Sequence, residues 1–127
     1  MNKAQFDNIL NKAKKDKEVV AVILFGSFAR KEKNKDIDLC LVLNKKYSRL
    51  FVSKKKLEYT QIAKKSQDIQ IFQQLPIYIR IRVLKEGKIL LSKDDAFLYD
   101  LAFLTIKEFG FYKKIYDLYL TEIQKIK

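Results

Sequence analysis

The chain has 127 residues, about the length of one domain, and its 48% apolar content is enough for a single core. One cysteine and no histidine exclude an internal disulfide, a cysteine-rich or histidine-ligated zinc site and a histidine general base. The longest apolar run, residues 19–25, is far shorter than the roughly 20 residues that cross a bilayer, and no leader pattern opens the chain. We therefore expect one cytoplasmic domain over residues 1–127, with no membrane partner.

The charge of the chain is strongly positive. Lysine and arginine number 27 against 15 acidic residues, which gives a formal charge of +12. Such a surface attracts polyanions, including nucleic acid and nucleotide phosphates. A general lysine bias in composition, as in proteins from hot environments, explains the charge about equally well. The charge alone therefore leaves nucleic-acid binding open.

The first third of the chain predicts a helix, a strand, a turn and a second strand. Residues 3–15 place apolar side chains at helical spacing, and a strand is predicted over residues 18–25, which after Glu18 are apolar and rich in β-branched side chains, as in a buried strand. Gly26 ends this strand, and Ser27 can cap a short helix after it. The polar stretch KEKNK then leads into a strand from Asp36 to Leu43.

The middle of the chain predicts alternating helices and strands. Residues 46–65 favour a basic amphipathic helix, and a third strand is predicted over Asp68–Phe72. Another helix is predicted from Pro76, which fits a first helical turn, to Gly87, which is typical of a helix end. Residues 88–91, with the sequence KILL, form a short fourth strand.

The C-terminal segment, about residues 94–123, has helical periodicity, and Gly110 predicts a kink or break in it. This segment is unusually aromatic, and we expect most of the rings to cover the sheet. The rings nevertheless spread over more than one helical face, which leaves a homodimer or a heteromeric contact open. The aromatic residues are Phe97, Tyr99, Phe103, Phe109, Phe111, Tyr112, Tyr116 and Tyr119.

Two aspartates open the second predicted strand. Side chains alternate along a strand, so Asp36 and Asp38 point to one face, about 7 Å apart. Like charges at this distance favour a cation between them, and oxygen ligands suit magnesium or manganese. The turn at Gly26 and Ser27 allows close backbone approach and offers N–H groups to phosphate. The alternative is a solvated strand end beside an ordinary turn.

A third carboxylate belongs to such a site, because metal-assisted phosphoryl chemistry needs a ligand near the attacking hydroxyl. Asp68 opens the only other predicted strand with an acid on a consistent face. If this strand lies next to the strand of Asp36 and Asp38, all three carboxylates share one pocket.

The motif GSFAR followed by DIDLCLV resembles the signature of the minimal nucleotidyltransferases, small members of the polymerase-beta-like nucleotidyltransferase superfamily. The resemblance extends to DIQIF and to LPIYIRIRVLKEGKILL, and so covers most of the chain. It implies an α/β (α+β) fold, with one small mixed β-sheet flanked by helices. It also implies transfer of a nucleoside monophosphate from a nucleoside triphosphate to a hydroxyl acceptor with two Mg²⁺ ions, for which Mn²⁺ could substitute.

The resemblance also implies roles for individual residues. Gly26 and Ser27 would bind the triphosphate, and Asp36 and Asp38 would be ligands of both metals. Asp68 would be a ligand of the catalytic metal and the base or orienter for the acceptor hydroxyl. From its place in the motif, Arg30 could reach the triphosphate, although an exposed surface arginine is an equally good interpretation.

Several members of this family are paired with a HEPN-domain ribonuclease and act as antitoxins, some by adenylylating the toxin. We therefore expect transfer of AMP from ATP to a partner protein. The alternatives are a non-catalytic antitoxin that only binds its partner, and transfer to RNA. Residues 45–65 carry eight basic residues and one acid, but their lysines fall all around the predicted helix. Arg80 and Arg82 are interpreted as surface residues, because they cannot share a helical face.

Overall fold

A computed structural model describes residues 3–26 and 37–126 of the chain. Short 3₁₀ turns at Lys3–Phe6 and Phe72–Gln74 accompany eight longer elements. In chain order these are α1 (Asp7–Lys15), β1 (Val19–Phe25), β2 (Ile37–Leu43), α2 (Arg49–Ile62), β3 (Gln67–Ile71), α3 (Ile77–Glu86), β4 (Lys88–Ser92) and α4 (Asp95–Ile126). The four strands and four helices that the sequence predicts in these ranges are confirmed. The cap predicted at Ser27 and the short helix after it lie outside the described residues.

The four strands form one mixed sheet in the order β3-β2-β1-β4. Strand β1 pairs antiparallel with β2 on one side and with β4 on the other. Strand β2 pairs parallel with β3, and α2 makes the crossover between them. The two central strands, β1 and β2, are buried almost along their full length, as their continuous apolar sequences predict.

Helices cover both faces of the sheet. On one face, α1 and α2 enclose a core that includes Phe6, Leu24, Leu39 and Tyr59. On the other face, side chains of α3 and α4 pack over a second core, to which Cys40 belongs. Burial, together with the nearby negative charge of Asp38, raises the pKa of the Cys40 thiol, so this cysteine stays protonated. The predicted α/β fold with one flanked mixed sheet is confirmed.

Helix α3 ends at Gly87, as predicted, but for a different reason. The φ angle of Gly87 is −72°, so the left-handed conformation that usually places glycine at a helix end is not used. A Cβ at this position would instead lie 2.6 Å from Cγ2 of Ile23. Glycine is needed here because the chain passes directly over strand β1. Pro76 precedes the helix as its N-cap residue, one position earlier than the sequence predicts.

Helix α4 differs from its prediction in two ways. It runs for 32 residues through Gly110 without a break, because one glycine costs a helix only about 1 kcal/mol. The expectation that most of its aromatic rings cover the sheet is wrong, since among the predicted rings only Phe97 packs against the second core. The rings left exposed are Tyr99, Phe103, Phe111, Tyr112, Tyr116 and Tyr119.

None of the helices in residues 3–26 and 37–126 is long and apolar enough to cross a bilayer.

A buried polar cluster fixes α2 against the start of β1. The ammonium group of Lys55 donates to Asp16 Oδ2 and to Glu18 Oε1, both at 2.9 Å, and the side chain of Lys55 is only 7% exposed. The hydroxyl of Tyr59 also donates to Asp16 Oδ2, at 2.8 Å. The cluster satisfies a lysine that the packing of α2 would otherwise leave in an apolar core.

The cluster makes stability depend on pH at both ends of the scale. Burial raises the pKa of Asp16, but the hydrogen bonds from Lys55 and Tyr59 outweigh it and bring the pKa below the usual 3.8. Burial lowers the pKa of Lys55, but its two carboxylate partners outweigh that effect and raise the pKa above 10.5. The stabilisation is therefore present between these two usual values. It is lost as the pH falls through the folded pKa of Asp16, or rises through that of Lys55.

We expect Lys55→Met to lower the free energy of unfolding at pH 7 by about 3 kcal/mol, because it leaves Asp16 buried without its cation. Urea denaturation measures this change. The difference from the unmodified protein should shrink at acidic pH, as the pH falls through the folded pKa of Asp16, which lies below the usual 3.8. The matched control is the exposed neighbour Lys54→Met, which should change stability by less than about 0.5 kcal/mol. Equal effects of the two substitutions would contradict a structural role for the cluster.

Candidate active site

Three strand ends meet at one edge of the sheet. Gly26 directly follows β1, whereas Asp38 and Asp68 are the second residues of β2 and β3. In the strand registers Asp38 is the partner of Phe25 on one side and of Asp68 on the other. Neighbouring strands lie about 4.8 Å apart, so the two carboxylates stand side by side. The structure thus brings together three of the six predicted site residues.

Gly26 and the carboxylate of Asp38 are packed against each other. Gly26 is buried and has a φ angle of +90°, a conformation that residues with a side chain rarely adopt. A Cβ at Gly26 would also collide with Asp38 Oδ2. Both constraints require glycine, because the backbone turn closes directly onto the carboxylate. Any ligand held by this turn would therefore lie close to Asp38.

Asp68 is exposed on the edge strand β3, whereas Asp38 is half-buried on β2. The side-chain amide of Gln70 donates to Asp68 Oδ2 at 2.8 Å, which fixes the orientation of the carboxylate. The amide is neutral, so it orients the carboxylate of Asp68 without adding a positive charge. Strand alternation puts Gln70 on the same face as Asp68, and this hydrogen bond adds Gln70 to the residues around the candidate site.

The candidate site lies on the side of the sheet that faces α3 and α4. Side chains that are partners across neighbouring strands share a face, so Phe25, Asp38 and Asp68 point the same way. The guanidinium of Arg82 lies 5.9 Å from the centroid of the Phe25 ring. It also lies 3.4 Å from Glu86, a long distance for an ion pair. This places a cation next to the strand end that carries the glycine turn.

The interpretation of the two arginines as surface residues holds for Arg82, whose side chain is 45% exposed, whereas the side chain of Arg80 is only 19% exposed. Arg80 is held by Glu108 at 2.9 Å and by the carbonyl of Leu75 at 3.0 Å, away from the strand ends. Arg82 is exposed beside Phe25 and is a candidate site residue that sequence analysis did not single out. Its position depends on the rotation of α3 relative to the sheet, and no local sequence pattern encodes that rotation.

The other predicted site residues, Ser27, Arg30 and Asp36, lie outside the described residues, and their roles remain predictions. Within the described ranges, no group of three or more acidic or cysteine side chains is placed to hold a metal ion. The described donors are the oxygens of Asp38 and Asp68, which suit Mg²⁺ or Mn²⁺. The glycine turn closing onto Asp38 keeps this space free of a side chain. The arrangement therefore fits a hard cation, for which Asp36 would supply a further oxygen.

The fold and the strand-end carboxylates can be compared with known protein families. Residues 7–96 match the family model described as polymerase beta, nucleotidyltransferase. The chain belongs to the polymerase beta nucleotidyltransferase family. The match covers every strand of the sheet and includes both described carboxylates. The family resemblance carried by the GSFAR and DIDLCLV motifs is thereby confirmed.

One relative of this nucleotidyltransferase chain is a protein of Methanocaldococcus jannaschii named "Putative protein adenylyltransferase". It is 32% identical over 82 residues, which cover 61% of this chain and 59% of the relative. The chain thus spans less than two thirds of the length of that relative.

Solved structures share the fold over almost the whole chain. One is an MNT antitoxin in complex with tri-AMPylated HEPN toxin from Shewanella oneidensis, with a TM-score of 0.69 and 14% identity, covering 98% of this chain and 99% of that one. Another is a toxin–antitoxin structure with AMP-PNP, with a TM-score of 0.67 and 16% identity, covering 98% and 99%. At these identities the similarity shows a common fold. That fold includes α4, which lies beyond the family match.

We expect Gly26→Ala to lower the free energy of unfolding by about 1–3 kcal/mol, because alanine is strained at this φ angle and collides with Asp38. Thermal or urea unfolding measures the change. Gly110→Ala is the matched control, since a Cβ there meets nothing within 4 Å. In the exposed middle of α4 it should instead raise stability by about 0.5–1 kcal/mol. A neutral or stabilising Gly26→Ala would contradict the described turn.

Proposed function

We propose that this chain is a metal-dependent nucleotidyltransferase that moves AMP from ATP to a hydroxyl group of a partner protein. The observation that carries the proposal is the register of β2, in which Asp38 lies between the glycine turn and Asp68. A polar turn, two adjacent carboxylates and a nearby arginine are the groups that triphosphate and metal binding require. Membership of the polymerase beta nucleotidyltransferase family supports the same chemistry.

Each candidate site residue has a role in this proposal. Gly26 and Ser27 bind the triphosphate through the backbone and hydroxyl of the turn, and Arg30 and Arg82 add positive charge near it. Asp36, Asp38 and Asp68 hold two Mg²⁺ ions, or Mn²⁺ in their place. Bound there, the ions stabilise the negative charge that develops on the α-phosphate and on the leaving pyrophosphate.

Asp68 is suited to orient the acceptor. It is exposed at the edge of the sheet, so an acceptor hydroxyl can approach it from the side of β3. Because Gln70 engages Oδ2, Oδ1 is the oxygen that accepts the proton of the hydroxyl. The acceptor oxygen then bonds to the α-phosphorus, and the bond between the α-phosphorus and the pyrophosphate oxygen breaks.

The choice of ATP rests on the relatives, since no described residue is identified that reads an adenine edge. The M. jannaschii relative is named an adenylyltransferase, and one solved neighbour is a complex with AMP-PNP. A protein acceptor has the same kind of support, because that name specifies a protein substrate and another neighbour contains an AMPylated toxin. Transfer to RNA is the competing acceptor class.

Helix α4 supports a helical partner protein. Beyond Glu108 its described hydrogen bonds, ion pair and ring contact all join residues of the helix itself. Apolar side chains are exposed there over more than half of the helix circumference, including Phe111 at 70%, Leu118 at 62% and Tyr119 at 65%. Lys113, Lys114 and Asp117 lie on the remaining side. So wide an exposed apolar surface is typical of a protein interaction site.

We therefore further propose that the apolar side of the second half of α4, residues 110–126, packs against helices of a HEPN-type toxin and that the chain acts as its antitoxin. An uncovered helix of this length is only marginally stable in water, so the partner would complete it. This surface also suits the second candidate function, a non-catalytic antitoxin that only binds its partner. Transfer activity separates the two candidates.

We expect label from α-phosphate-labelled ATP with Mg²⁺ to appear on a partner protein in the presence of the unmodified chain. Asp38→Asn should reduce the rate roughly 1,000-fold, because a loss of several kcal/mol of metal-based stabilisation corresponds to that factor. Asp100→Asn, an exposed carboxylate on α4, is the control and should transfer normally. Equal labelling by the unmodified chain and Asp38→Asn would contradict the proposed site, and label on RNA would reassign the acceptor.

The partner surface can be tested separately with Asp38→Asn, which removes transfer. Co-expressed with a HEPN-domain protein from the same source, this variant should form a stable complex on gel filtration. Adding Ile115→Glu and Leu118→Glu should abolish the complex, whereas Lys113→Gln and Lys114→Gln on the same helix should preserve it. If the chain alone elutes as a dimer that the glutamate substitutions dissociate, residues 110–126 form a homodimer interface and the toxin proposal is wrong.

A further inference from the structure

A cavity of about 530 Å³ opens at the end of the sheet opposite the candidate active site. It lies between the end of β2, the start of α2 and the turn that follows β3. Leu43 lines it, five residues along β2 from Asp38, and strand geometry separates the two by about 17 Å. Most of the cavity therefore lies away from Asp38, and Gln70, which orients Asp68, lines the side nearest the candidate active site.

Positive charge dominates this cavity. Four basic side chains line it, and none of its lining residues is acidic. Among the described residues, no acidic side chain forms an ion pair with any of these four basic side chains. Lys55, the sequence neighbour of Lys56, differs from these four residues, because two carboxylates neutralise its charge. The four basic residues are Lys45, Lys46, Arg49 and Lys56.

Hydrogen bonds and ring packing hold the walls of the cavity in place. The side chain of Gln73 accepts from the backbone N–H of Leu43 at 3.1 Å and donates to its carbonyl at 2.8 Å, which ties the turn after β3 to β2. The rings of Tyr47 and Phe51 stack with centroids 4.1 Å apart, and the Tyr47 hydroxyl donates to Asn44 at 2.6 Å. These contacts fix the backbone that carries the lysines, so less order has to be gained on binding.

We infer that this basic cavity binds the phosphodiester backbone of a single-stranded nucleic acid. A strand presents one negative charge per nucleotide and is flexible enough to enter a concave surface. A cavity of this volume can accommodate a nucleotide or two of a strand, whereas a duplex is too wide to enter it. Recognition would not depend on base sequence, because Tyr47 is already engaged by Phe51 and Lys45 and leaves no open ring for stacking.

Although the lysines of residues 45–65 fall all around the predicted helix, the structure brings four basic residues of this segment together at the cavity. Lys55 turns into the core, whereas Lys56 joins the basic residues that precede α2. The basic cavity thus combines residues from the loop after β2 with residues from α2. The inferred binding uses the four basic residues of this cavity, none of which is assigned to the strand-end site, so it does not depend on the proposed transferase activity.

The test is fluorescence anisotropy of a labelled single-stranded RNA, measured with the Asp38→Asn protein across a range of salt concentrations. With four phosphate contacts, the logarithm of the binding constant should fall with the logarithm of salt with a slope of about −3. The triple variant Lys45→Gln, Lys46→Gln and Arg49→Gln should reduce this slope to about −0.7 and weaken binding at least tenfold. The control variant removes three charges elsewhere, at Lys113, Lys114 and Lys125.

The outcomes separate the explanations. Retained binding by the control variant supports the basic cavity, whereas equal losses in both triple variants would reduce the effect to net charge and overturn the inference. Equal affinity for single-stranded DNA is expected for backbone recognition, and competition by free ATP with Mg²⁺ would reassign binding to the strand-end site. If the protein binds no RNA, and the cavity variant alone loses a partner protein, the cavity binds an acidic protein surface and the inference is overturned. Circular dichroism and unfolding curves confirm that each variant is folded.

Discussion

The register of β2 against both of its neighbours is the constraint on which the candidate site depends. Antiparallel pairing with β1 places Asp38 opposite Phe25, directly before the glycine turn, and parallel pairing with β3 places it beside Asp68. A slip of one residue in either pairing would turn a carboxylate to the other face of the sheet. The different sizes of the side chains on the two faces oppose such a slip, because Leu39 and Leu41 fill the core beneath α1 and α2 while the smaller Cys40 faces the opposite core.

The carboxylates at the two ends of the strands have contrasting environments. At the start of β1, Asp16 is neutralised by a buried lysine and a tyrosine hydroxyl, and its contribution is to stability. At the opposite ends of the strands, Asp38 and Asp68 are brought side by side, and Asp68 receives its described side-chain hydrogen bond from a neutral amide. Adjacent carboxylates cost stability unless a cation joins them. The first arrangement serves the fold, and the second is suited to binding a metal and a nucleotide.

Local sequence patterns predict much of this molecule. Apolar runs bounded by polar turns locate β1, β2 and β3, and the period of a strand puts Asp68 and Gln70 on one face. Relative placement between distant elements is less accessible. Arg82 reaches the neighbourhood of Phe25 only through the rotation of α3, and the basic cavity is assembled from separate segments. The exposure of α4 could not be predicted, because a helix with apolar residues over more than half of its circumference has no single face to bury.

The most direct test is a crystal structure of the protein with Mn²⁺ and a non-hydrolysable ATP analogue, using the anomalous signal of manganese to locate the ions. The account predicts manganese roughly 2.1 Å from carboxylate oxygens of Asp38 and Asp68, with the triphosphate of the analogue lying along the turn at Gly26. Manganese and nucleotide bound away from these strand ends, with both carboxylates free of metal, would contradict it.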